Sequence, residues 1–571
     1  MPKPKPAFTF VLHTHLPYVL YHGTWPHGTD WLYEASAECY LPLLNAFYRL
    51  HREGIPPKVT IGLSPVLTEQ LASPIFVAGL ISYLNERLEA ADKDIIEFTN
   101  TGQYDMLKLA VMWRRYYREI LESFDNDYHK NIPAAFRKLE DEGALEIITC
   151  AATHGYLPLL GLDRSINAQL KQAVASHKTH YGKPPRGIWL PESAYRPGYD
   201  WKTPVESDIP SGFRSGLETL LSAENLRYFF VDTDLLKGGE GVDVYLERFP
   251  GLKALWERME AARAKLPKDD RQRTHHRPYW VANDYGDSLP TAVFVRDPDT
   301  ALVVWSGEHG YPGDDNYLEF HKKRFPNGHR YWKVTSSKAD LADKMLYHTD
   351  DVASRIDENA DHFVSLVENS LAASAEKLVV PPILVAPFDT ELFGHWWFEG
   401  PRWIESVIRK MHHRGKVQQI TAGEYLENYP PDEAITMPEG SWGQGGFHWI
   451  WLNDDTHWTW NHLYQDEIIM TELVDKAQHS GNLDVKRILQ QLGRELLLEQ
   501  ASDWQFLIST WSARDYAEAR FAEHHQRFVQ IAETARKALK GEEISSEEWN
   551  YLKAVEDSDP IFPDIDPGIW M

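Results

Sequence analysis

ILVAPFDTELFGHWWFEG (Ile383–Gly400) decides the reading of the fold: an apolar run, Ile383–Phe388, closes on Asp389 and turns at once into a segment with two tryptophans. A run with no polar alternation suits a strand covered on both faces, as in parallel sheets flanked by helices. Outward from it the same pattern recurs. Phe8–His15, Lys58–Ser64, Leu145–His154, Gly187–Glu192, Tyr228–Asp232, Ala292–Arg296 and Ala301–Ser306 are read as further strands. Amphipathic helical stretches separate them, so the first four hundred or so residues predict an α/β fold with a parallel sheet or barrel. His15, Ser64, His154, Glu192, Asp232 and Asp389 each end an apolar run with a polar group. In β/α barrels the catalytic groups sit at the C-terminal strand ends, so these six define a candidate site.

Residues 66–142 are mostly helical and polar and are read as an inserted helical subdomain, leaving 1–65 and 143–400 to the barrel. Residues 233–279, with GGEG and KDDRQRTHHRP, carry no strand pattern and are read as a long loop excursion. After Pro401 the alternation is expected to stop. Leu483–Gln500 and Ala513–Leu539 have helical spacing, so 401–571 is read as a C-terminal helical domain, with the acidic, Pro-rich tail after Glu547 wrapped on it.

The 571 residues carry a net charge of −25, with 25% charged and 43% hydrophobic side chains, a globular profile with length for a large core. The acidity argues against nucleic acid and against an anionic membrane surface. No apolar run approaches the roughly 18 residues of a membrane span. The N-terminal MPKPKPAFTFVLHTH is broken by His13 and His15 too soon for a signal peptide. Two cysteines, Cys39 and Cys150, allow no disulfide framework, and a cytoplasmic, reducing location is expected. Of 21 tryptophans, eight lie between Trp396 and Trp460 among polar and Gly-rich neighbours. Flat apolar rings in a cleft suit the C–H faces of sugars, so carbohydrate is the leading ligand class.

Glu192, in GIWLPESAYRPG, reads by itself as a surface carboxylate at a strand end, and Asp389 as a helix cap or turn residue. Together, beside aromatic residues, they suit glycosidic chemistry, in which one carboxyl protonates the leaving oxygen and the other attacks or assists at the anomeric carbon. His13 and His15, two apart on a strand, face one side. Such a pair can bind a metal with an acid or His154, but no Cys or HExxH-type ligands accompany it. The histidines are therefore read as partners of sugar hydroxyls, and no metal or cofactor is expected. There is no phosphate-binding GxxxxGK[ST] loop, and Ser193 lies outside any GxSxG elbow.

HTHLPYV (His13–Val19), ATHGYLPLL (Ala152–Leu160), WLPESAY (Trp189–Tyr195) and APFDTELFGHWWFEGP (Ala386–Pro401) resemble glycoside hydrolase family 57, and the resemblance covers nearly the whole chain. WPHGTDWLYEA (Trp25–Ala35), VWSGEHGYPGD (Val304–Asp314) and SWGQGGFHWIWLN (Ser441–Asn453) make the chain most similar to that family's 1,4-α-glucan branching members. The resemblance implies a (β/α)7 barrel with an inserted helical domain and a C-terminal helical domain closing over the cleft. By motif position it implies Glu192 as nucleophile and Asp389 as general acid/base. His13, His15 and His154 would surround the sugar at the cleavage point, and Trp25, Trp305, Trp442 and Trp451 would line the cleft. Asp503, in SDWQFL, would be a further cleft residue from the helical domain. The implied reaction is retaining double displacement that moves a glucan chain onto a 6-hydroxyl, making α-1,6 branches in glycogen biosynthesis without a cofactor. Its substrates would be amylose, amylopectin or glycogen. Branching members carry a tyrosine at a loop tip over the site, for which Tyr245 is the candidate. The alternative on the same scaffold is an α-glucan hydrolase or 4-α-glucanotransferase.

Overall fold

The structure, a computed structural model, describes residues 4–237, 273–286, 288–306, 310–336 and 338–571. Tyr245 and most of the 233–279 excursion lie outside the described residues.

Seven parallel strands carry the fold. β1 (Ala7–Thr14) pairs with β2 (Thr60–Leu63), and β2 with β3 (Glu146–Ile148). β4 (Gly187–Ile188) pairs with β5 (Tyr228–Val231), β5 with β6 (Ala292–Val295), and β7 (Ile383–Asp389) with β1. Single parallel bridges from Thr149 to Ile188 and from Arg296 to Val385 join the two sheets at both edges. The pairings thus close a ring of seven strands, the expected barrel.

Side-chain alternation fills the ring. Ala7 and Val11 on β1, Tyr228 and Phe230 on β5, Ala292 and Phe294 on β6, and Ile383 and Val385 on β7 form one buried cluster inside it. Their neighbours Phe8, Phe10, Leu12, Leu384 and Ala386 point outward into a larger core under the surrounding helices. Both faces are apolar, which is why these strands read as continuous apolar runs. Residues 65–141 are almost entirely helical: Pro65–Ala72, Pro74–Thr101, Tyr104–Glu122 and Ile132–Asp141, joined by a π-helical turn at Ser123–Asp127.

Three expectations are corrected. Ala301–Ser306 is not a strand: Pro298–Trp305 is a helix, capped by the Asp297 side chain, which accepts from the Thr300 amide at 2.8 Å. Pro298 sits where a missing N–H leaves nothing unsatisfied, and cap plus proline override the strand preference of Val303, Val304 and Trp305. The alternation also continues past Pro401. Gln418–Gln419 pairs with the first residues of β1, and Ala434–Ile435 pairs with a strand at Tyr279–Val281 that runs antiparallel to β6. The helix Ala422–Asn428, opened by a Thr421–Glu424 capping box, sends Ala422, Tyr425 and Leu426 into the N-terminal mouth of the ring. Residues 401–435 therefore belong to the barrel. Finally, half of the tryptophan cluster is core: Trp397, Trp403, Trp451 and Trp460 are all under 2% exposed.

Beyond the barrel, helices His457–Ala477, Leu483–Glu499, Arg514–Lys540 and Ser546–Ser558 form the C-terminal domain. Near the end of the tail Trp570 is fully buried, its ring packed against Gly493 where a side chain would not fit.

Candidate active site

The alternation that packs the ring also delivers its polar ends to one place. His13 and His15 continue the inward parity of Val11, Asp232 that of Phe230, Arg296 that of Phe294, and Asp389 that of Val385. Glu192 breaks this rule. It shares parity with Ile188 and Leu190, which pack outside the ring. It enters the cleft because the strand stops after two residues and the backbone turns left-handed at Glu192 (φ 59°) and Ser193 (φ 49°). His154 turns the same way, at φ 62°. Left-handed φ at non-glycine residues is strained and is retained where a side chain must be re-aimed.

Glu192 is held on both oxygens. Trp442 Nε1 donates to Oε2 at 2.9 Å and Ser502 Oγ donates to Oε1 at 3.2 Å. Because a carboxylate only accepts, Ser502 must give its hydrogen to Glu192 and accept from His154 Nδ1, 2.8 Å away. His154 Nε2 is then the acceptor for His13 Nε2–H at 2.9 Å. The result is a relay, His13 to His154 to Ser502 to Glu192, with every hydrogen aimed at the carboxylate. Burial, reinforced by the neighbouring histidines, drives the His13 and His154 pKa values well down, so both rings are neutral, as the relay needs. Burial pushes the Glu192 pKa up to about 7, and Asp503 adds to it against the pull of Trp442, His15 and Ser502.

Asp389 ends β7 directly beside His13 in the strand register. Burial pushes its pKa well above the usual carboxylate range, with Glu391 and Glu192 adding to the rise and Arg296 opposing it. Arg296 is itself ion-paired with Asp232. Glu391 accepts from Tyr40 Oη at 2.7 Å and from the His15 amide at 3.1 Å, and burial raises its pKa to about 7. His15 links barrel and helical domain: Nδ1 meets Ser64 Oγ at 2.9 Å and Nε2 meets Asp503 Oδ2 at 3.0 Å. His15, His154 and Asp503 are close enough to share a metal ion, yet each facing nitrogen already has a protein partner.

These groups line one cleft of about 640 Å³ that includes Glu192, Asp389, His13, His15, His154, Asp503, Trp25, Trp305, Trp442 and Trp451. Among the described residues, those read from the sequence as site members therefore converge, with Ser64 buried behind His15 rather than lining the cleft. Their roles in the geometry differ. Trp25 is 80% exposed at the rim, whereas Trp451 is buried and stacks on Tyr156 at 4.5 Å. Trp442 is a hydrogen-bond donor to Glu192 as well as a ring surface. Ser502, Glu391 and Arg296 escaped the sequence reading. Glu391 had a signal, an acid two residues past Asp389 in DTEL; Arg296 ended a strand already read; Ser502 had none.

The family model for glycosyl hydrolase family 57 matches residues 9–438, and a second model, the C-terminal region of 1,4-alpha-glucan branching enzyme, matches 462–570. The chain belongs to glycosyl hydrolase family 57. Among its relatives is 1,4-alpha-glucan branching enzyme TK1436 of Thermococcus kodakarensis, 40% identical over 99% of this chain and 79% of the relative. The crystal structure of TK1436 superposes with a TM-score of 0.89 at 39% identity, covering 100% of this chain and 97% of that one. A GH57-type branching enzyme from Pyrococcus horikoshii gives 0.87 at 35% identity, with 100% and 97% covered. The α-amylase AmyC of Thermotoga maritima gives 0.80 at 29%, with 99% of both chains covered.

Proposed function

We propose that this enzyme cuts an α-1,4 bond in a glucan and moves the released chain onto a 6-hydroxyl, forming α-1,6 branches by retaining double displacement. Asp389, kept protonated by burial and by the charges of Glu391 and Glu192, gives its proton to the departing glycosidic oxygen. Glu192, steadied by Trp442 and Ser502, attacks the anomeric carbon and forms the covalent glycosyl-enzyme. That bond removes the Glu192 charge, one of the groups holding the Asp389 pKa up, so Asp389 is free to stay ionised. Asp389 then takes the proton from the acceptor 6-hydroxyl as its oxygen displaces Glu192. The observation that carries the reading is the pairing itself: two buried carboxyls in one aromatic-lined cleft, the charge of Glu192 raising the pKa of Asp389.

The similarity to named branching enzymes supports transfer over hydrolysis, amylose, amylopectin and glycogen as substrates, and a place in glycogen biosynthesis. Cys39 and Cys150, both buried and unbonded, fit the reducing cytoplasm. Proton NMR of amylose incubated with the protein, run beside a reducing-end assay, tests the reading. Growth of the α-1,6 anomeric signal with few new reducing ends is the expected outcome. Reducing ends without that signal would favour the second reading, a hydrolase, to which the likeness to an α-amylase points.

A further inference from the structure

Adjacent tryptophans take opposite fates after β7. Trp397 is buried in the core, while Trp396 stays 48% exposed on the cleft wall. Its ring is held flat against Phe320, with centroids 4.8 Å apart and planes 21° from parallel. Its backbone is fixed as well, the Trp396 amide donating to the Glu391 carbonyl at 3.2 Å. Along the same wall lie Trp31 and an ion pair from Lys323 to Glu34 at 2.9 Å. A rigid, half-exposed indole with polar groups of both signs beside it is the make-up of a sugar platform: the ring takes a C–H face and the ions take hydroxyls.

The chemistry says which chain it would take. In a retaining displacement the acid/base residue faces the leaving oxygen and later the incoming one, so the chain on its side is first the leaving group and then the acceptor. Asp389 opens the loop that carries Trp396. Another part of the cleft lining is tied to Glu192: Trp442 donates to its carboxylate, and Gly443 packs against Trp451. We infer that the Trp396–Phe320 platform, with Lys323 and Glu34, binds the acceptor α-glucan chain, the donor chain lying along the Trp442–Trp451 wall. This rests on the proposed role of Asp389.

Trp396→Ala tests it, since a half-exposed ring can be removed without opening the core. The share of cleavage events that end in transfer is measured against the concentration of an added malto-oligosaccharide acceptor. We expect a roughly tenfold rise in acceptor KM and a larger share of cleavage events ending in hydrolysis, with Trp396→Phe recovering most of the loss. An unchanged acceptor KM overturns the inference, and so does an unchanged share of hydrolysis. Should the wild type transfer to no glucan at all, the functional reading fails separately. Calorimetric affinity of Trp396→Ala for the same oligosaccharide then judges the platform: weakened binding upholds it and unchanged binding overturns it.

Discussion

Two clusters of buried carboxylates and histidines, one in the cleft and one in the helical domain, behave differently. In the cleft, Glu192, Asp389 and Glu391 are gathered near one guanidinium among the described residues, that of Arg296, already paired with Asp232. Burial pushes all three up; Asp503 adds to the rise at Glu192, and Glu391 and Glu192 add to the rise at Asp389. In the helical domain, Asp559 is equally enclosed, but His22 reaches it at 2.7 Å and Arg527 pairs with it. Burial would raise Asp559; His22, His524 and Arg527 overcome that and hold it well below its usual value. Its neighbour Glu495 moves the other way, up, through burial and the Asp559 charge, so the pair settles on one negative charge facing Arg527. Countercharge decides the outcome. Where it is supplied, the carboxylate is a fastener, here tying the loop before Trp25 to the helical domain; where it is withheld, the carboxyl keeps a proton it can give away.

The comparison breaks most visibly at Glu192. Glu192→Gln should lower turnover by roughly 10⁴-fold in the NMR assay while the protein stays folded, because an amide cannot form the glycosyl ester. Activity within tenfold of wild type would mean the nucleophile lies elsewhere. The mirror experiment is Arg527→Met. Removing one partner of a buried ion pair strands the other, so denaturant titration should show a loss of about 3 kcal/mol. Turnover per folded molecule should hold within about twofold, since nothing in the cleft is touched.

How far this contrast was legible beforehand follows from what each feature depends on. The strand ends that make the site were readable because ring parity is local: an apolar run closing on Asp389 or His15 carries its own geometry. The Ala301–Ser306 segment misled because its composition favours a strand while its start, Asp297–Pro298, encodes a helix, and the start won. Residues 401–435 read as part of the helical domain because Gln418–Gln419 is a two-residue strand whose partner lies some four hundred residues away. Ser502 and the Asp559 network were invisible for the same reason: their meaning lies in contacts between distant segments, Ser502 with Glu192 and Asp559 with His22.

Ser502 offers a finer cut. It lowers the Glu192 pKa and relays the histidine pair to it. Ser502→Ala should lower kcat roughly tenfold, the scale of a hydrogen bond to a charged group. It should also move the acid limb of the pH–rate profile upward, since Glu192 must be ionised to attack and its pKa rises once the donor is gone. A slower enzyme with an unmoved profile would make Ser502 a packing residue only.

The smallest effect separates the two clusters by the sign of their pH dependence. A carboxyl whose folded pKa lies above its unfolded value stabilises the fold below the unfolded value and loses that contribution as pH rises through the folded one. For Glu192 the window runs from about 4.5 to about 7. Glu192→Gln cannot ionise, so it should unfold later than wild type above pH 7, by roughly 1–3 kcal/mol, with the gap closing near pH 4.5. For Asp559 the folded value is depressed, so its contribution is present above its ordinary 3.8 and is lost as pH falls below that. Stability differences for Glu192→Gln and Arg527→Met, measured at pH 4.5 and pH 8, should therefore differ in form. The first is a gain that appears only at the higher pH. The second is a loss already present at both, which shrinks only on further acidification. If the Glu192→Gln difference were the same at both pH values, the Glu192 carboxylate would be as well compensated as Asp559, and the cleft would hold no proton in reserve for Asp389 to use.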